Sequence, residues 1–245
     1  MKKVAAAFVA LAMVAGAVVA RRSLDTKAKV AERIPVLCAQ SIEVACEAWR
    51  DAGANIDVAS RDFTTLESSE TSAYDLVIGP EVLTAPIMDG IAGVPRRLAS
   101  SPLVVISQAA SPVCPAGTIK CLGSLGSNTQ WAVQRDGELG TDVQVALTAA
   151  SVADPAFGDV LLSSRVEAAR ASTPGEVQNL GIPAAAVMVK VSVGPAVSLS
   201  IVNVVPAAQV TIAAFTRTGA PAAAARLPAD PGLATALQAD GWLVK

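Results

Sequence analysis

Histidine is absent from all 245 residues of the chain. Its absence excludes Ser-His-Asp and Cys-His catalysis and every metal site built on imidazole. Aromatic residues make up only 3% and charged residues 16%, and the formal net charge is −2. With a sequence pI of about 5.2, there is no basic surface of the kind that neutralises phosphates, so nucleic acid is not an expected partner. No cysteine follows the N-terminal apolar run closely enough to carry a lipid, the first being Cys38. No internal repeat is present.

What remains is a chain that is 52% apolar, with a mean hydropathy of +0.49, built largely on Ala and Val. Met1-Lys2-Lys3 precedes an uncharged apolar or small stretch from Val4 to Ala20, and Arg21-Arg22 closes it. The stretch exceeds the roughly 7 to 15 residues of a cleavable signal core and lies near the roughly 17 needed to span a bilayer. Residues 1–22 therefore read as a signal peptide or an uncleaved membrane anchor. Basic residues on both flanks leave the orientation open. The rest of the chain is expected outside the cytoplasm, secreted or membrane-anchored. Residues 23–33 are charged and read as a stalk.

Outside the cytoplasm, four cysteines point to disulfides rather than thiol chemistry. Cys114 and Cys121 bracket the turn-rich segment Pro115 to Lys120 and are expected to pair. Cys38 and Cys46 are then either a companion pair or two buried thiols, because a strand end and a helix interior do not guarantee Cα atoms within the roughly 7 Å a disulfide requires.

From Ile34 onward, short β-like runs alternate with helical patterns. Ile34 to Cys38, Ile56 to Ala59, Tyr74 to Ile78 and Leu103 to Ile106 read as strands, and Ser41 to Asp51 and Glu81 to Asp89 as helices. This rhythm predicts an α/β fold with a parallel sheet and crossovers. Further along, Gln130 to Val133 reads as a strand and Asp142 to Ala150 as a helix. Ala184 to Val193, Ser198 to Val205 and Gln209 to Phe215 are β-prone, and Pro231 to Ala239 returns to helix.

In open α/β sheets, ligands collect at the carboxyl ends of strands, where helix N-termini present unpaired N–H groups. Three turns qualify: Ala39-Gln40-Ser41, Asp62 to Ser69, and Gly79-Pro80-Glu81. Their hydroxyls and amides suit a small polar or anionic ligand. Each also has a plainer reading, with Ser41 as a helix cap, Thr64 to Ser69 as a solvated loop, and Glu81 as a first-turn carboxylate. Arg96-Arg97 reads as a solvated pair, and Trp131 and Trp242 as packing.

Val36-Leu37-Cys38-Ala39-Gln40-Ser41, Tyr74-Asp75-Leu76-Val77-Ile78-Gly79-Pro80-Glu81, Arg97 to Ile106, Cys121-Leu122-Gly123-Ser124-Leu125, and Val205-Pro206-Ala207 with Leu237 to Trp242 resemble the type 2 periplasmic substrate-binding proteins, in particular their molybdate-binding-like branch. The resemblance spans most of Ile34 to Lys245. It implies a two-lobed α/β fold behind an N-terminal hydrophobic helix, with residues 34–107 and 205–245 as one lobe and 108–204 as the other. Hinges would lie near Ser107 and Val202 to Pro206, and the lobes would close around ligand. Carried over by position, Ser41 with Gln40 and the Thr64-Thr65 pair would contact ligand from the first lobe. Gln130 and Pro206 would do so from the second lobe and the hinge. No cofactor or metal is implied.

The expected function is capture of a small solute for a membrane transporter or sensor, without catalysis. A rival is an envelope structural or protein-interaction module that keeps the fold and binds no small ligand. A third reading is an enzyme that uses a carboxylate pair such as Asp62 and Glu81.

Overall fold

The computed structural model describes residues 33–107, 130–134, 137–153, 184–189, 192 and 200–244. The expected signal or anchor, all of the stalk but Arg33, and the Cys114–Cys121 pair lie outside the described residues. Among the described residues no helix is long and apolar enough to cross a membrane.

The first strand, β1 (Ile34–Ala39), is a nearly continuous apolar run with all residues but Pro35 buried, the pattern of a strand covered on both faces. It pairs in parallel with β2 (Ile56–Arg61) on one side and β3 (Leu76–Pro80) on the other. Between β1 and β2, a 3-10 turn over Gln40–Ile42 leads into α1 (Glu43–Asp51). This helix buries Ala45, Cys46 and Trp49 and leaves Val44 at 68% exposure. A short α2 (Ser68–Thr71) follows β2, where the sequence suggested a loop, and α3 (Glu81–Ile87) follows β3.

The next strand departs from the predicted rhythm. Instead of a short parallel strand, β4 (Arg96–Ser107) is twelve residues long and antiparallel to its partners. Beyond it come β5 (Gln130–Val133), α4 (Gly137–Ala153), β6 (Ala184–Val189) and β7 (Ser200–Thr216). The two β-prone stretches at Ser198 to Val205 and Gln209 to Phe215 thus form one strand. A 3-10 segment (Ala224–Ala229), α5 (Pro231–Ala239) and β8 (Leu243–Val244) complete the chain.

The strand order is β2-β1-β3-β7-β4-β6-β5, with β8 also on β4. The sheet is therefore mixed, not parallel: β7 inserts between β3 and β4 and runs against both. The β4–β7 register breaks where Pro102↔Gln209 gives way to Leu103↔Val205. Two prolines stand at this break, Pro102 on β4 and Pro206 on β7, where a missing N–H does least harm to the ladder.

The return helix α5 is anchored through its cap. Asp230 accepts from Gly232 N at 2.8 Å and from Trp49 Nε1 at 3.1 Å, so one carboxylate caps α5 and fixes it on α1. Pro231 occupies the first turn. Leu233 and Leu237, one turn apart, are buried with Trp242; each such side chain contributes roughly 1.5–3 kcal/mol. At the opposite end of β7, Arg217 binds Asp75 at 3.1 Å and the Tyr74 carbonyl at 3.0 Å.

Candidate functional site

The carboxyl ends of β1 and β2 lie side by side, and each chain turn there exposes N–H groups. At the end of β1, Ala39 is extended and the 3-10 turn begins, leaving the Gln40 and Ser41 amides without intrahelical acceptors. After β2, Asp62 organises its own turn: its Oδ1 accepts from Thr64 N at 2.9 Å and from Thr64 Oγ1 at 2.7 Å, and its carbonyl accepts from Thr65 Oγ1 at 3.1 Å. Those bonds occupy Thr64 and Thr65 locally and leave the Phe63 N–H pointing out of the turn. The Phe63 ring is buried against the end of β3. A Cβ on Gly79 would stand 2.6 Å from Phe63 Cε2 and 2.9 Å from Ala39 Cβ, so only glycine permits this close stacking of the three strand ends.

The three amides converge on one carboxylate, Glu138, in the first turn of α4. Its Oε1 accepts from Gln40 N at 3.1 Å and Phe63 N at 2.7 Å, and its Oε2 accepts from Ser41 N at 2.7 Å. Glu138 is 4% exposed. It comes from the helix after β5, at the far end of the strand order, so this contact ties the two ends of the sheet together. Gly137, with φ of 74°, turns the chain into that helix. Adjoining the carboxylate is a cavity of about 230 Å³ lined by Gln40, Ser41, Asp62, Gln134, Gly137, Glu138 and Leu139. None of these is basic.

Two buried polar groups nearby have no hydrogen-bond partner, the Ser41 hydroxyl and both carboxylate oxygens of Asp142. Asp142 lies one turn beyond Glu138 on α4 and is 2% exposed. Burial, then repulsion from Glu138 and Glu81, pushes its carboxyl up to about 7.

The remaining expected residues fall elsewhere. Ser41 caps nothing: no side-chain bond caps the 3-10 turn or α1. Pro80 is the cap position of α3, and its carbonyl accepts from Thr84 Oγ1 at 2.8 Å. Glu81 engages Arg97 in a fork at 2.9–3.2 Å, and Arg96 and Arg97 are both exposed, so the pair is solvated with Arg97 also ion-paired. Neither Pro80, Glu81, Thr64 nor Thr65 lines the cavity. Gln130 opens β5, and the glutamine at the cavity is Gln134, just past its carboxyl end, bonded to Ser192 Oγ at 3.1 Å. Pro206 lies at the β7 register break. Glu138 and Gln134 stand outside the expected turns, whereas Phe63 belongs to the expected turn from Asp62 to Ser69 and contributes its amide there. The rule that ligands gather at carboxyl strand ends, applied to β5, points to Gln134, whereas nothing local marks Glu138.

No protein-family model and no curated protein sequence matches the chain. Solved structures do. An OxyR mutant from Corynebacterium glutamicum aligns over 94% of this chain and 73% of its own, with 15% identity and a TM-score of 0.57. A glycosylated form of PEB3 aligns over 86% and 99%, with 13% identity and a TM-score of 0.56. PEB3 with L-phospholactate bound aligns over 86% and 99%, with 11% identity and a TM-score of 0.52.

The chain has a type 2 periplasmic-binding-protein-like fold. The likeness covers this two-lobed fold class and does not single out the molybdate-binding branch. In a type 2 fold of this kind, the contact between Glu138 and the β1 and β2 turns joins the two ends of one mixed sheet.

Proposed function

We propose that this chain is an extracytoplasmic solute-binding protein that captures a small anionic ligand between two lobes, without catalysis, and presents it to a membrane transporter or envelope protein. The observation that carries this reading is the convergence of the Gln40, Ser41 and Phe63 amides on one carboxylate. Three N–H groups from two separate turns form a receptor for an oxyanion or carboxylate. The unpartnered Ser41 hydroxyl offers a fourth donor. PEB3, of the same fold, holds L-phospholactate. The Cys38–Cys46 disulfide supports an oxidising compartment. In this reading, residues 34–107 and 205–245 form one lobe and 108–204 the other, with hinges near Ser107 and Val202 to Pro206. Closure follows from tighter binding by the closed state.

One observation favours the rival, a protein-interaction module without small ligand: the amide cradle is already filled by Glu138. A thermal-shift screen of the full chain against oxyanions, amino acids, sugars and small carboxylates separates the two. A ligand at about 100 times its Kd adds ~2.7 kcal/mol, a shift of about 5–11 °C for a chain of this size. A hit weakened by Ser41→Ala supports solute capture. A screen without hits overturns it in favour of the interaction module.

A further inference from the structure

We infer that the Glu138 carboxylate is an internal stand-in for the anionic group of the ligand, so that the empty protein closes on itself and any ligand must displace this side chain. The inference rests on the ligand-capture reading and identifies the chemistry of its binding site. A side chain that merely supports its own helix has no reason to leave it. Glu138, though in the first turn of α4, spends both oxygens on amides 75 to 98 residues distant in sequence. The division of labour is that of a bound carboxylate, with one oxygen taking two N–H groups and the other taking one. The three amides hold the resident carboxylate by hydrogen-bond geometry, the geometry a carboxylate or oxyanion ligand would have to reproduce.

Displacement has a measurable consequence. If Glu138 is seated nine-tenths of the time or more, the apparent affinity for a competing anion is reduced about tenfold or more. Freeing the cradle removes that penalty. Glu138→Ala leaves three N–H groups without their acceptor, that of Phe63 buried, and a space of carboxylate size. Acetate, the side chain's own chemistry, is the probe. Glu138→Gln is the control, because its amide fills the space but turns an NH2 donor toward at least one of the N–H groups.

The experiment follows the melting temperature of the full chain in rising acetate against chloride at equal ionic strength. The expected result is a saturable rise for Glu138→Ala, with an apparent acetate affinity at least about tenfold tighter than wild type, and little response from wild type or Glu138→Gln. If Glu138→Ala does not fold, Glu138→Ser, which frees most of the same volume, is read in the same way. An acetate response that is flat, or equal in all variants, overturns the inference. The two readings fail separately. Acetate rescue with no wild-type ligand leaves the internal anion and sinks solute capture, whereas a wild-type ligand without rescue does the reverse.

Discussion

Ser41 contributes its amide and its hydroxyl to different ends. The amide binds Glu138 at 2.7 Å, while the buried hydroxyl binds nothing. An unsatisfied buried hydroxyl costs stability, so Ser41→Ala is expected to raise the unfolding free energy by about 1–3 kcal/mol. Ligand affinity is expected to fall several-fold, because the hydroxyl gains its partner only when ligand arrives. Denaturant unfolding and ligand titration on the same variant check the two halves. Asp142 carries the opposite burden. Its folded value of about 7 lies above the unfolded value of 3.8, so between those values the folded state holds the proton more tightly. The contribution of this group is therefore fully present below about pH 4 and is lost as pH rises toward 7, by at most ~1.4 kcal/mol per pH unit. Asp142→Asn should flatten that part of the profile and raise stability at pH 8, read from denaturant midpoints across pH.

At the level of elements, the cradle is held by its supports. The Cys38–Cys46 bridge, with Cα atoms 6.6 Å apart, closes a loop that contains both Gln40 and Ser41. It contributes about 2–3 kcal/mol to stability and fixes the path from β1 into α1. Replacing both cysteines with alanine is expected to lower stability by that amount and to weaken anion binding, which calorimetric titration would report. Gly79→Ala would push on Phe63 and Ala39, cost about 1–3 kcal/mol and move the third amide; the same two measurements apply.

These elements were unequally legible in the sequence. Periodicity and punctuation marked β1, β2, β3, α1 and α5, and the strand-end rule pointed to Gln40 and Ser41. The same rule pointed to the turn from Asp62 to Ser69, but within it the hydroxyls of Thr64 and Thr65 bond Asp62 and the amide that reaches the carboxylate is that of Phe63. Glu138 was invisible because its partners lie 75 to 98 residues away. The reading of α4 as starting at Asp142 also left Glu138 outside the helix.

Across the whole molecule, the sheet order explains why one carboxylate matters so much. The rhythm of strands and helices predicted parallel pairing throughout, but β4 and β7 run antiparallel and pass through both halves of the sheet. Local pattern cannot reveal that, because strand direction depends on which distant strand inserts between β3 and β4. With β4 and β7 as the continuous path between the sheet ends, Glu138 bridges those ends at the cradle. The most direct measurement is amide NMR of the 15N-labelled full chain during titration with a ligand found by thermal shift. The account predicts that the Gln40, Ser41 and Phe63 resonances shift together and saturate at one Kd. Saturable binding that leaves those three amides unmoved would contradict it.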